Sequence, residues 1–219
     1  MTTSNIVKRL RGLDCCAVSD AFDRLGFTGV VTGIPQRAGS GSIAGQVATL
    51  KLHTGAPPPG PARHLGTLAI EESNADHVIV VEQRTGIDAG CWGGILTAGA
   101  KTQGIAGVIA DGPVRDIDEA IDYEFPIFST ALTAITARGR ISEAGTNVPI
   151  CVWGVSVNAG DYVIADQSAV VFIKAENIEA VLDTAETIVA KEKAMAKAVF
   201  SGVAISEVMG GNYENMLKK

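Results

Sequence analysis

A glycine-rich loop, a helix-like run and a short apolar run follow one another directly near the middle of the chain, and few folds accommodate that succession. Residues 90–94 hold three glycines around a tryptophan, and the apolar and small residues of 95–103 recur at helical intervals. Gly104 is expected to end this helix, residues 105–110 to form a buried strand, and the turn residues 111–113 to stop the strand. A helix followed so closely by a buried strand predicts an α/β fold.

The glycine loop leads into a helix N-terminus, which is a favourable place for an anion. The first N–H groups of a helix have no carbonyl partner, the helix dipole adds positive potential, and glycine lets a ligand approach the main chain. Arg115 and Asp116 leave the carboxyl end of the predicted strand, where ligands collect in open α/β sheets. An Arg beside an Asp offers a fork for a carboxylate next to a hard oxygen ligand. The segment therefore predicts an anion bound beside a divalent cation; a solvated surface pair is the alternative.

The same segment is similar to a known protein family. The pattern Trp-Gly, a helix, Gly-x-x-Gly, an apolar run and Asp-Gly-x-x-Arg-Asp extends from Trp92 to Asp116. Further short motifs continue the match: Ser19-Asp20-Ala21, Pro126-Ile-Phe128, Arg138-Gly-Arg140, Pro149-Ile150, Gly154-Val-x-Val157, Gly160-Asp161 and Ala165-Asp166. On these motifs, over roughly residues 13–205, the chain resembles the RraA-like proteins. That family includes 4-hydroxy-4-methyl-2-oxoglutarate aldolases and the regulator of ribonuclease activity A.

The resemblance implies an architecture and a set of site residues. The implied fold is a compact α/β/β/α sandwich, assembled as a homotrimer or homohexamer with active sites between subunits. Catalysis would fall to Arg115 and Asp116, and Asp116 would anchor the metal. Glu192 would reach the metal site of a neighbouring subunit, although a solvated helix face is an equal alternative for this residue. The substrate-binding residues would be Gly93, Gly94, the amides of Ile95 and Leu96, Arg115 for the substrate carboxylate, and Arg140 for a distal carboxylate.

One departure from the family pattern concerns the metal. The aldolases carry an acidic residue twenty-one positions before the arginine, and that position here is Gly94. The acid helps to hold the water shell of the metal, so its absence requires another carboxylate if the activity is kept. Asp88 and Asp111 are the nearest candidates in the sequence. Because the available ligands are carboxylates rather than Cys or His sets, Mg²⁺ or Mn²⁺ is expected rather than zinc.

Three functions remain open at this stage. The leading hypothesis is a divalent-metal-dependent lyase on short 2-oxo acids, acting by retro-aldol cleavage of 4-hydroxy-4-methyl-2-oxoglutarate-like substrates or by oxaloacetate decarboxylation. Both reactions release a pyruvate enolate, whose developing charge a Lewis acid would stabilise. The second is a noncatalytic, protein-binding regulator, and the third is an isomerase or hydrolase of another oxo acid.

Composition limits the remaining possibilities. The 219 residues are 47% hydrophobic and 19% charged, which suits one domain spanning residues 1–219. A net charge of −6 without a basic cluster disfavours binding to nucleic acid or to anionic membranes. No signal segment or long apolar run is present, and the four cysteines form no C-x-x-C pair, so a cytoplasmic protein with reduced thiols is expected.

Local patterns predict further elements around the central segment. Residues 13–25 have helical spacing up to Gly26, residues 46–53 alternate as a strand, and residues 178–200 form a long amphipathic helix. Residues 62–74 are a further helix candidate, whereas residues 1–12 show only polar and basic character.

Overall fold

The computed structural model describes residues 2–57, 59–60 and 63–210. The helices are α1 (Thr3–Leu10), α2 (Cys15–Leu25), α3 (Thr67–Glu71), α4 (Gly94–Thr102), α5 (Ile117–Asp122), α6 (Ile178–Phe200) and α7 (Ile205–Val208), with a 3₁₀ turn at Ala175–Asn177. The strands are β1 (Val30–Val31), β2 (Gln36–Ala38), β3 (Ile43–His53), β4 (His77–Glu82), β5 (Val108–Val114), β6 (Ile127–Leu132), β7 (Ser142–Thr146), β8 (Ile150–Val152), β9 (Val155–Val157), β10 (Tyr162–Ala165) and β11 (Val170–Ile173).

Most strands belong to one mixed sheet. Its order is β1-β11-β10-β3-β4-β5-β6-β2, and β7 pairs with the distal part of β3. The central strands β3, β4, β5 and β6 are parallel, and the outer pairings are antiparallel. β8 and β9 form a separate hairpin. The predicted α/β class is therefore confirmed.

Three apolar clusters show how the layers stack. Val18 and Leu182, from α2 and α6, pack with Ile164 on one outer part of the sheet. Ile79 packs with residues of α3, α4 and α5 on the other outer part. The third cluster lies inside and joins Val31 of β1 to residues of β6 and of the β8–β9 hairpin. Since opposite ends of the sheet share this inner core, the two β layers of the α/β/β/α arrangement are two halves of one curled sheet.

Several elements follow the sequence closely. α2 ends at Gly26, which adopts a left-handed conformation with φ 73°, as a glycine after a helix commonly does. α6 covers residues 178–200 as predicted, and its buried residues end at Ile188, so that its second half extends beyond the core. Among the described helices, none is long and apolar enough to cross a membrane. All four cysteines are free thiols.

Other expectations are wrong and have physical reasons. β5 does not stop before residues 111–113 but continues to Val114, because a register shift against β6 places Pro113 at an irregularity in the ladder. Proline lacks an N–H group, and such positions tolerate it. Residues 3–10 are helical, with Thr2 as the N-cap and Val7 and Leu10 fully buried. The helix expected over residues 62–74 is only five residues long, and residue 62 lies outside the described residues, as do residues 211–219.

Candidate functional site

The glycine loop before α4 is tied to the end of β5 by main-chain hydrogen bonds. The Cys91 amide donates to the Pro113 carbonyl at 2.8 Å, and the Arg115 amide donates to the Trp92 carbonyl at 3.0 Å. The Trp92 indole is buried and donates to Thr97 Oγ1 at 3.1 Å, which locks the loop to the first turn of α4. The start of α4 and the residues that follow β5 are therefore held side by side.

Asp116 lies at the N-terminus of α4, where a ligand anion was expected. Its Oδ2 accepts a hydrogen bond from the Gly94 amide at 3.0 Å, and its Oδ1 lies 3.3 Å from Arg115 Nε. The residue is left-handed, with φ 56° and ψ 39°, a conformation that Asp adopts more readily than most residues but at some cost. The amides of Ile95 and Leu96, next in the same turn, have no bonded acceptor within the part of the chain that the structure describes.

Two glycines allow Arg115 and Asp116 to approach the loop. A Cβ added at Gly90 would lie 2.9 Å from Arg115 Cγ, and one added at Gly93 would lie 2.9 Å from Asp116 Oδ2. Any larger residue at either position would push these side chains away. The glycines are therefore required by close packing against the charged pair.

The space beside Gly94 is filled by a carboxylate from another element. Glu119 Oε2 lies 1.9 Å and Glu119 Cδ 2.6 Å from the point where a Cβ of residue 94 would be. Glu119 belongs to the first turn of α5, three residues after Asp116. A carboxylate therefore stands where a side chain of residue 94 would begin, although residue 94 is glycine.

Neither of the two acids considered from the sequence takes this place. Asp111 is buried and faces the β8–β9 hairpin: its Oδ2 accepts from the Trp153 amide at 3.1 Å and lies 3.7 Å from Arg84 Nε. Burial raises the pKa of Asp111, while the Trp153 amide and Arg84 act in the opposite direction. Asp88 is exposed and makes no hydrogen bond or ion pair with a described residue. Glu119 is not among the site residues predicted from the sequence.

A cleft of about 490 Å³ opens beside this arrangement. It is lined by Val114, Arg115, Asp116, Ile117, Asp118, Leu132, Thr133 and Ala134. The predicted residues Arg115 and Asp116 therefore line one cavity. The end of β6 and the two residues after it complete the lining.

The donor set near the cleft suits a cation that keeps most of its water. Within residues 2–57, 59–60 and 63–210, no three His, Cys, Asp or Glu side chains converge as a ready metal cage. Asp116 and Glu119 both border the Gly94 position and together offer carboxylate oxygens. Mg²⁺ and Mn²⁺ are commonly bound through one or two carboxylates with water completing the shell. The residues present fit such an ion and not a tetrahedral zinc site.

Two predicted site residues lie apart from this group within one chain. Arg140 is exposed, and its Nη1 donates to the Thr136 carbonyl at 3.2 Å and to the Arg138 carbonyl at 3.4 Å. Glu192 lies in the second half of α6, on the side of α2. Its pKa is raised mainly by burial and further by the nearby carboxylates of Asp20 and Asp14. The structure does not bring Glu192 together with Asp116 in a single chain.

The fold and the cleft define a mixed α/β protein whose arginine and carboxylates meet at a helix N-terminus. The family model described as RraA-like, Aldolase/RraA, matches residues 15–172. The chain therefore belongs to the RraA-like family.

Curated relatives are similar to this chain at moderate identity. Protein DlpA of Legionella pneumophila is 26% identical over 206 residues, which cover 94% of this chain and 33% of DlpA, so the chain spans about a third of that relative. A protein of Halalkalibacterium halodurans, provisionally named 4-hydroxy-4-methyl-2-oxoglutarate aldolase, is 28% identical over 91% of this chain and 90% of its own length. The 4-hydroxy-4-methyl-2-oxoglutarate aldolase of Thermus thermophilus is 30% identical over 62% of this chain and 77% of its own length.

Solved structures support the same fold. An uncharacterized protein from Pseudomonas syringae superposes with a TM-score of 0.83 at 25% identity, covering 94% of this chain and 98% of the other. RraAS2 of Streptomyces coelicolor, described as an unusual member of the RNase ES inhibitor RraA family, gives a TM-score of 0.74 at 23% identity. It covers 86% of this chain and 94% of its own. The RraA-like architecture predicted from the motifs is confirmed.

Proposed function

We propose that this chain is a divalent-metal-dependent lyase that cleaves short 2-oxo acids to release pyruvate. The observation that carries the proposal is the meeting of Arg115, Asp116 and Glu119 at the first turn of α4, beside a cleft. One guanidinium and two carboxylates at a helix N-terminus can bind a 2-oxo acid and a hard cation together. The aldolase names of the two similar proteins above support the same reaction class.

Each residue has a defined task in this proposal. Asp116 and Glu119 would hold Mg²⁺ or Mn²⁺, which when bound supplies a Lewis acid for the oxygen that gains negative charge in an enolate-forming step. Arg115 would grip the substrate carboxylate through two parallel hydrogen bonds. The amides of Ile95 and Leu96 would complete the carboxylate cradle. Asp116 also orients Arg115, because its Oδ1 lies 3.3 Å from Arg115 Nε.

We further propose a homotrimer or homohexamer in which Glu192 serves a neighbouring cleft. Glu192 lies on the side of α2, near Asp20 and Asp14. Within one chain it is not among the residues that line the Arg115 cleft. The buried residues of α6 end at Ile188, so the half of α6 that carries Glu192 extends beyond the core of its own chain. Light scattering of the purified protein measures the assembly. A monomer would overturn this part and leave Arg115, Asp116 and Glu119 in place.

The test of the lyase is a coupled assay of pyruvate release. The substrates are oxaloacetate, 4-hydroxy-4-methyl-2-oxoglutarate and 4-hydroxy-2-oxopentanoate, each with Mg²⁺, with Mn²⁺ and with chelator. Asp116→Asn should abolish turnover. Asp116 directly precedes α5, and Asp122→Asn, at the exposed far end of α5, should retain turnover. Absence of metal-dependent pyruvate from every substrate would refute the lyase and favour the noncatalytic regulator or an enzyme acting on another oxo acid.

A further inference from the structure

A chain of hydrogen bonds runs from the Trp92 indole to the main chain at the start of α4. The indole Nε1 donates to Thr97 Oγ1 at 3.1 Å, and Thr97 Oγ1 donates to the Gly93 carbonyl at 2.9 Å. An indole nitrogen can only donate, and a hydroxyl has one proton to give. The Thr97 proton is therefore committed to the Gly93 carbonyl. Both side chains are buried, so the bonds are shielded from water.

The Gly93 carbonyl belongs to the same peptide unit as the Gly94 amide. This peptide is trans, so its carbonyl and its N–H lie in one plane and point in opposite directions. The Gly94 amide donates to Asp116 Oδ2 at 3.0 Å. A rotation that takes the carbonyl away from Thr97 would therefore also turn the amide away from Asp116.

This peptide depends on outside support because glycine stands on both sides of it. Glycine restricts backbone rotation less than any other residue, and the close approach of Asp116 and Glu119 leaves no space for a Cβ at either position. The Thr97 amide gives the Gly93 carbonyl its ordinary helical bond at 3.0 Å. The Thr97 hydroxyl adds a second bond to the same oxygen.

The burial of Thr97 separates it from an ordinary threonine in a helix. Threonine hydroxyls often bond to the carbonyl four residues earlier, and Thr102 of the same helix does so with Ala98 at 2.9 Å. Thr102 is exposed, whereas Thr97 is buried and also accepts the indole N–H. Removing a buried hydrogen-bond partner costs more than removing an exposed one, since water cannot replace it. Thr102 is therefore a matched control for Thr97.

We propose that Thr97 is a positioning residue for Asp116. Its hydroxyl, held by the Trp92 indole, sets the peptide between Gly93 and Gly94 so that the Gly94 amide directs the Asp116 carboxylate. Thr97 thus acts through Asp116 and contacts neither metal nor substrate. The consequence for metal binding rests on the proposed function, whereas the consequence for the Gly94 amide does not.

Hydrogen exchange of the Gly94 amide tests the positioning directly. Thr97→Val keeps the shape of the side chain and removes the hydroxyl. By NMR on the assembled protein without added metal, the Gly94 amide should exchange about tenfold faster in Thr97→Val than in the wild type, the scale of one buried hydrogen bond. Thr97→Ser should restore slow exchange, and Thr102→Val should leave it unchanged. Unchanged exchange at Gly94 in Thr97→Val, or acceleration shared equally along α4, overturns the inference.

Calorimetric titration with Mn²⁺ measures the consequence at the site. Thr97→Val should bind Mn²⁺ about tenfold more weakly than the wild type, Thr97→Ser should recover most of the affinity, and Thr102→Val should lose none. Equal affinity in Thr97→Val and the wild type overturns the positioning role. No Mn²⁺ binding by the wild type would refute the proposed metal site, and exchange at Gly94 would then decide the role of Thr97. If Thr97→Val does not fold, Thr97→Ala against Thr97→Ser isolates the same hydroxyl.

Discussion

Replacing Gly94 by Ala should displace the Glu119 carboxylate without changing any charge. The added Cβ would lie 1.9 Å from Glu119 Oε2, and real Cβ atoms do not approach other heavy atoms closer than 3.0 Å. The carboxylate must therefore move by roughly 1 Å or more, which its flexible side chain permits at little cost in folding. Mg²⁺ demands near-ideal oxygen positions, so a shift of this size would remove Glu119 from the proposed metal shell.

The expected loss is that of one charged ligand contact. At about 1.5–3 kcal/mol, such a contact corresponds to roughly a tenfold to hundredfold weaker affinity for Mn²⁺. Calorimetric titration with Mn²⁺ measures it directly, without substrate. Glu119→Ala should give a similar loss, and the double variant should lose no more than either single variant, because both changes remove the same contact.

A second glycine of the same helix supplies the control. At Gly99 an added Cβ would meet Ile70 at 3.7–3.8 Å, an ordinary contact, so Gly99→Ala should keep Mn²⁺ affinity and stabilise the helix slightly. Wild-type Mn²⁺ affinity in Gly94→Ala, or additive losses in the double variant, would refute the proposal that Glu119 supplies the carboxylate that residue 94 lacks.

Three further outcomes are expected. Asp116→Asn should abolish calorimetric Mg²⁺ or Mn²⁺ binding, because it removes the proposed anionic ligand at the α4 N-terminus while preserving size; equal affinity in both proteins would place the metal elsewhere. Arg115→Lys should weaken oxalate binding by about 1–3 kcal/mol, since Lys keeps the charge and loses the planar fork, and unchanged oxalate affinity would contradict the role of Arg115. Burial raises the folded-state pKa of Asp111 above its ordinary value, so its contribution to the free energy of unfolding falls as pH rises from the ordinary Asp range through that raised pKa. Urea titrations across that window should therefore show a smaller loss of stability with rising pH in Asp111→Asn than in the wild type, and parallel pH curves would contradict the burial of this charge.

The sequence predicted those helices whose apolar spacing or terminal glycine lies within their own residues. α6 follows residues 178–200 because its apolar residues recur at helical spacing over many turns, and α2 ends at Gly26 because glycine tolerates the left-handed conformation. The short edge strands β1 and β2 were missed, since two or three residues carry no periodicity. Their strand character comes from pairing with β11 and β6.

The continuation of β5 shows where local chemistry misleads. Asp-Gly-Pro is typical of a turn, yet the strand passes through Pro113 because β6 pairs across the irregularity and the Cys91 amide binds the Pro113 carbonyl. Both partners are distant in sequence. Only the tertiary structure therefore determined that Arg115 and Asp116 follow a longer strand than expected.

At the site, the sequence by itself determined the Arg115–Asp116 pair, the glycines beside it and the absence of an acid at residue 94. Only the tertiary structure decided which acid lies beside Gly94. Nothing in the spacing distinguishes Glu119 from Asp111 or Asp88 as a candidate. The left-handed turn at Asp116 orients α5 so that Glu119 lies against Gly94, while burial behind the β8–β9 hairpin takes Asp111 away. A carboxylate's neighbours depend on the path of the backbone around it, and that path is set by packing between elements that are far apart in the chain.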